Sequence, residues 1–167
     1  QIYPFIRIGL ETSMRKSEIL GIRREHIDTE RMVIYIPKAK AGAREQPITK
    51  SLADYLEGYV ATLQKGTAWL FPSAAAEEGR TVNLDKPFRR CVLAAELDVK
   101  QVVRHTLRHT AITHLVQAGV DLPTVKRISG HKNLSMVERY SHQNGAHIQG
   151  AMDKLEERYK PKEPKAS

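Results

Sequence analysis

The stretch HTLRHTAITHLVQAGVDLPTVKRISGHKNLSMVERYSH, residues 105–142, decides how the rest of the chain is read. Its apolar residues recur at helical intervals in three blocks. Thr106 to Ala118 reads as one helix stopped by Gly119, Leu122 to Ile128 as a second, and a third starts at Asn133 or Leu134 and runs to about Tyr140. Gly130 followed by His131 ends the second helix and enters a turn. On that frame three side chains need a chemical explanation: His105, Arg108 and His109.

A metal site is the first explanation to test. His105 and His109 stand four apart on one helical face, a spacing that can serve two ligand positions on zinc. Against it, no glutamate stands between them, and Arg104 and Arg108 flank the pair with charges that repel a divalent cation. Reversing the sign of the ligand makes better sense of the cluster. His105 and Arg108 lie three apart, about 60° around a helix, so both can converge on one object. An arginine fork beside an imidazole suits a phosphate, with parallel N–H donors for the oxygens and a group that manages a proton. An ordinary ion-paired arginine would still account for HxxR on its own, so the decision rests on residues elsewhere.

The bulk properties agree with an anionic partner. The 167 residues, 41% of them hydrophobic, suit one compact domain, and 27 basic against 19 acidic residues leave a net charge of +8. A polyanion, nucleic acid first, is the expected partner. Cys91 is the only cysteine, which excludes an intrachain disulfide and a cysteine-based zinc cluster and fits a reducing, cytoplasmic setting. No apolar run approaches the roughly 18 to 20 residues of a membrane span, and QIYPFIRIGL lacks the features of a signal peptide. That opening reads as the continuation of a helix, so the chain is expected to be a piece of a longer protein. The patch AAAEEG at 74–79 reads as a loop, and the tail 160–167, KPKEPKAS, is expected to be disordered.

Periodicity predicts a mainly α protein with one small antiparallel β-sheet, an α+β class. A helix carrying Ile2, Phe5 and Ile6 ends near Glu11, and a short one over Ser17 to Arg24 is expected to be capped by Ser17. RMVIYIP at 31–37 and AREQPIT at 43–49 form a hairpin around Lys40 to Gly42, with a short strand near His26 to Asp28 before it. Leu52 to Leu63 and Asp85 to Leu97 are further helices, and a last one, 146–159, carries Ile148, Met152, Leu155 and Tyr159 as a stripe.

The opening stretch resembles the signature of the tyrosine recombinases, the phage integrase family, in which an HxxRH box, a GH pair and a tyrosine follow one another at this spacing. Two earlier elements of that family are matched as well. TSMRKSEILGIRREHID, 12–28, resembles its first arginine box, with Arg15 as the arginine and Glu18 as the glutamate that opens a helix. PKAKAGAREQPIT, 37–49, resembles the hairpin that offers a lysine, and Lys40 matches through its KAGxR context. Lys38 lies two residues earlier on the same strand face, so the choice between the two lysines stays open. Ser13, Met14 and Ser129 depart from the commoner residues, and none of these departures is expected to touch a group that reacts.

The resemblance implies the catalytic-domain fold of DNA breaking-rejoining enzymes over residues 1–159, with an N-terminal core-binding domain outside this chain. It implies site-specific DNA recombination or integration through a 3′-phosphotyrosyl intermediate, with no cofactor and no metal. Tyr140 would attack phosphorus, His105 would help remove its proton, Arg15 and Arg108 would clamp the oxygens, His131 would donate a hydrogen bond, and Lys40 would protonate the departing 5′ oxygen. Lys38, Arg44, Arg104 and Lys132 are the candidates for contact with the DNA backbone. Double-stranded DNA is the implied partner, with homo-oligomer assembly on paired sites; helix 146–159 docks either on a neighbouring subunit or on its own domain, and the choice between the two stays open. Three rivals remain: a topoisomerase of the same chemistry, a non-catalytic basic DNA-binding module, and a histidine-metal hydrolase.

Overall fold

The computed structural model describes residues 1–39, 42–141 and 146–159, the side chains of 146–148 and 151 left aside. The helices are α1 (Ile2–Thr12), α2 (Lys16–Leu20), α3 (Lys50–Thr62), α4 (Asp85–Ala94), α5 (Arg104–Gln117), α6 (Leu122–Ser129), α7 (Ser135–Glu138) and α8 (Ala146–Tyr159). Strands β1 (Ile27–Asp28), β2 (Val33–Ile36) and β3 (Arg44–Pro47) follow α2 and form one antiparallel sheet in that order. Ile34 is the hinge of its register, facing Ile27 on one side and Gln46 on the other. Alternation along β2 buries Ile34 and Ile36 and turns Tyr35 outward, as a half-covered strand requires.

Two apolar cores position the site, and α5 joins them. The larger gathers Phe5, Ile8, Ile19, Leu20, Ile34, Leu52, Leu56, Phe71 and Phe88 and reaches Leu107 on α5. The smaller holds Ile112, Val116, Val125, Val137 and Tyr140. Arg108 lies between them. Helices α1 and α5 cross closely at Gly9, where a methyl group would sit 3.0 Å from Leu107 Cδ1; the missing side chain lets the end of α1 reach α5.

The helix ends show where local signals were incomplete. α2 starts at Lys16, with Arg15 in the cap position, and the Glu18 carboxylate accepts the Arg15 backbone N–H at 2.9 Å. Ser17, expected as the cap, is therefore inside the helix, because a carboxylate three residues on is the stronger acceptor. α2 also stops at Leu20 rather than Arg24, and residues 24–26 form a separate 3-10 turn. α4 closes at Ala94, short of Leu97, since Glu96 takes a positive φ of 57°. α7 has four residues instead of the longer helix expected up to Tyr140.

Met152, Leu155 and Tyr159 on α8 are 56, 47 and 78% exposed. The Ile148 side chain, Lys40 and the tail 160–167 lie outside the described residues. Among the described residues no helix is long and apolar enough to cross a membrane.

Candidate active site

Three chain segments meet where the two cores join. Ser13 ends α1 in the left-handed conformation, φ 56°, and turns its carbonyl toward α5, where it accepts from Arg108 Nη1 at 2.6 Å. Arg15, next along, extends from the cap of α2 to the carbonyl of Gly130, 3.3 Å from its Nη2. Gly130 closes α6 with φ 64°, which delivers His131 to Arg108, Nη2 to Nε2 at 3.0 Å. Arg15, Arg108 and His131 thus belong to one bonded group, although 115 residues separate Arg15 from Gly130 in sequence.

The group is rich in positive charge. Glu18, buried at 7% exposure, takes Arg15 Nη1 on Oε1 at 3.2 Å and Arg44 Nη2 on Oε2 at 3.1 Å. Arg44 also donates to Gln46 Oε1, and its guanidinium lies so close to Gly130 that a side chain there would meet Nε at 2.7 Å. Among these residues one carboxylate faces three guanidinium groups. Burial first, and then the charge of Arg15, lowers Arg108 to about 10. Burial also lowers Arg44, chiefly against the help of Glu18. His131 is pushed down to about 4 by burial and by the charges of Arg108, Arg15 and Arg139, so its ring is neutral at pH 7. Uncompensated cations in a partly closed site favour an incoming anion.

Hydrogen-bond directions fix the His131 tautomer. Ser129 Oγ donates to Val125 O at 2.7 Å, which leaves it to accept from His131 Nδ1 at 2.7 Å. The proton is then on Nδ1, and Nε2 accepts from Arg108. An anion placed between Arg108 and His131 takes over the arginine's donor and makes the protonated ring favourable. Ser129 and Ser13 were expected not to touch the candidate site residues; both do, Ser129 through its hydroxyl on His131 and Ser13 through its carbonyl on Arg108.

Tyr140 follows α7 with its ring buried in the smaller core. Its hydroxyl lies 2.5 Å from His109 Nδ1 and 3.1 Å from Arg139 Nη2. His105, expected beside the tyrosine, is exposed and meets the His109 ring edge-on at 4.6 Å. His105 keeps one side in solvent; desolvation of the other side lowers it first, followed by His109, Arg108, Arg139 and Arg15, which puts it within the field of the same cations. The reading of the sequence missed His109 and Arg139 as partners of the tyrosine. The HxxRH spacing carried a signal for His109, since it is the residue after Arg108, whereas Arg139 had only its adjacency to Tyr140.

The four residues expected to contact DNA separate into two kinds. Lys38 and Lys132 are exposed, Lys38 at the rim of a groove of about 480 Å³ that also takes in Arg23, Trp69 and Arg80. Arg104 pairs with Asp85 at the start of α4, and Arg44 is turned inward onto Glu18 and Gln46. Arg44 therefore holds the cluster together from beneath, a position that its place on a short polar strand did not reveal. Among the described residues no three His, Cys, Asp or Glu side chains gather as a metal-holding group.

Comparison with known proteins adds independent information. The model of the phage integrase family matches residues 1–147. The chain belongs to the phage integrase family. The shufflon-specific DNA recombinase of Escherichia coli is 27% identical over 143 residues, covering 84% of this chain and 34% of that protein. The tyrosine recombinase XerA of Thermococcus kodakarensis is 30% identical over 148 residues, 84% of this chain and 50% of that one. The chain thus spans half or less of the length of these two family members. Among solved structures, the Tn1549 transposon integrase in complex with circular intermediate DNA superposes with a TM-score of 0.75 at 25% identity, over 92% of this chain and 59% of that one. The catalytic domain of bacteriophage HP1 integrase gives 0.65 at 25% identity, over 98% and 84%. The helical body with its small sheet is the catalytic-domain fold of this family.

Proposed function

We propose that this chain is the catalytic part of a site-specific tyrosine recombinase, which cuts and rejoins double-stranded DNA through a phosphotyrosine. The observation that carries the reading is that Arg15, bonded to the carbonyl of Gly130, and Arg108, bonded to the next residue, His131, meet at one glycine turn with Arg44 beside them, and that one buried carboxylate leaves these three guanidinium groups under-neutralised. Such a cluster matches the two non-bridging oxygens of a phosphodiester, and each donor lost from comparable sites costs roughly 3 to 4 kcal/mol of transition-state stabilisation.

In the reaction, Tyr140 Oη attacks phosphorus in line, the bond to the 5′ oxygen breaks, and the 3′ phosphate stays on the enzyme. Arg15 and Arg108 hold the oxygens, His131 donates once protonated, and His105 faces the same group from α5. A hairpin lysine, Lys40 or Lys38, supplies the proton that the leaving 5′ oxygen needs. The phosphotyrosine retains the energy of the broken ester, so a 5′ hydroxyl of another strand reverses the attack and no nucleotide cofactor enters. Double-stranded DNA is the partner, in the cytoplasm, with Lys38, Lys132 and Arg104 along the backbone. Sequence choice falls to a core-binding domain preceding this chain. The exposed Met152, Leu155 and Tyr159 on α8 suit assembly with further copies on paired sites.

The test uses a pool of centrally nicked duplexes of randomised sequence, in which the short strand released by cleavage diffuses away and traps the adduct. The wild-type chain is expected to give SDS-resistant protein–DNA adducts in the presence of a chelator. Tyr140→Phe keeps the buried ring, loses the attacking oxygen, and is expected to give none; equal yields from both overturn the reading.

A further inference from the structure

The hydroxyl of Tyr140 sits between two groups of opposite habit. A guanidinium has no acceptor, so Arg139 Nη2 at 3.1 Å donates to the phenol oxygen. The phenol proton is left for the other neighbour, His109 Nδ1 at 2.5 Å. We infer that His109, one helical turn beyond His105, is the base that takes the Tyr140 proton during strand cleavage, with Arg139 steadying the phenolate.

This deepens the recombinase reading and rests on it. The histidine of the HxxRH box expected for this task was His105. His105 is exposed, whereas His109 is half-buried on the side of α5 that faces the tyrosine, with rings 5.8 Å apart and tilted by 38°. Arg139 also lies over the Tyr140 ring, its guanidinium carbon 5.1 Å from the centroid, and puts a fixed positive charge beside the oxygen that becomes anionic.

The charged and titratable groups around His109 are His105 and Arg108 on α5, and Arg139 and Tyr140 after α7. Burial, then Arg139, then Arg108, lowers His109, which keeps its ring neutral near pH 7; with the phenol proton directed at it, Nδ1 is the acceptor and the ring proton is on Nε2. A weakened base cannot ionise a free phenol, so the transfer must accompany attack. The Oη–P bond forms, the P–O5′ bond breaks, the phenol proton moves to His109 Nδ1, and a hairpin lysine protonates the 5′ oxygen. On rejoining, the His109 imidazolium returns the proton to Tyr140 and the lysine takes one from the attacking 5′ hydroxyl.

His109→Asn isolates the claim, because the asparagine carbonyl takes the place of Nδ1 as an acceptor and cannot accept a proton. Adduct formation on the nicked pool is expected to slow on the order of 100-fold. Sulfur in place of the 5′ oxygen, which leaves without a proton, should not restore the rate. An adduct rate in His109→Asn close to that of wild type, with the same pH profile, overturns the assignment. Should His109→Asn fail to fold, His105→Asn decides: the acid limb expected below the ordinary histidine value of 6.5 must persist, and its loss transfers the role to His105. No adduct from wild type, or an equal one from Tyr140→Phe, removes the recombinase reading itself, an outcome distinct from either of these.

Discussion

The cation cradle and the tyrosine beside it are held in different ways. The cradle is tied across the chain: Arg108 to the end of α1, Arg15 to the end of α6, and Arg15 and Arg44 to the buried Glu18. Tyr140 follows a helix of four residues, of which Val137 is buried, and its hydroxyl is held by His109 and Arg139. The positive groups are therefore already assembled in the folded chain, and under the proposed function the cost of arranging them around a phosphate is met during folding rather than during reaction. The tyrosine depends on a light element, and under the proposed function a bound duplex can change its placement without disturbing the cradle.

The largest effect expected from breaking this contrast is at Glu18. Glu18→Gln leaves Arg15, Arg44 and Arg108 with no carboxylate among them, and removing one partner of a buried pair typically costs about 3 to 5 kcal/mol. Urea denaturation should show a loss of that order, and millimolar sulfate should recover part of it by occupying the cradle. An unchanged midpoint would mean that Glu18 holds nothing together.

A smaller effect follows from acid. The folded state holds His131 near 4, against 6.5 for a free histidine, so the unfolded chain binds the extra proton between those values. The contribution is fully present above pH 6.5 and is lost as pH falls toward 4. His26, His105 and His109 are lowered as well and act in the same direction. Thermal melts from pH 7.5 to 4.5 should fall steadily, less so in His131→Gln; a midpoint that rises on acidification would contradict this.

Much of this difference was legible in the sequence, and the illegible part has a physical pattern. The blocks 105–142 and 12–28 expressed the cradle because Arg15, Arg108 and His131 sit beside strong local punctuation: a helix start, a helical face, and a glycine turn. Glu18 was visible as a neighbour of Arg15, yet its second bond, to Arg44, joins residues 26 apart on different elements. Arg44 read as a surface residue because a short polar strand gives no sign that a glycine turn from α6 will cover it. His105 and His109 share a helical face by spacing, and only the seating of Tyr140 beyond α7 distinguishes the one that meets the tyrosine. The hairpin was placed correctly, while Lys40, the residue of interest in it, lies outside the described residues.

The most direct test of the cradle is nitrogen-detected NMR of the His131 ring and the arginine side chains during titration with inorganic phosphate. Without phosphate His131 should titrate near 4. With phosphate its titration should move upward, and His131, Arg15 and Arg108 should report one shared dissociation constant. An ordinary histidine titration with no response to phosphate, or three responses that saturate at different concentrations, would contradict a single anion site.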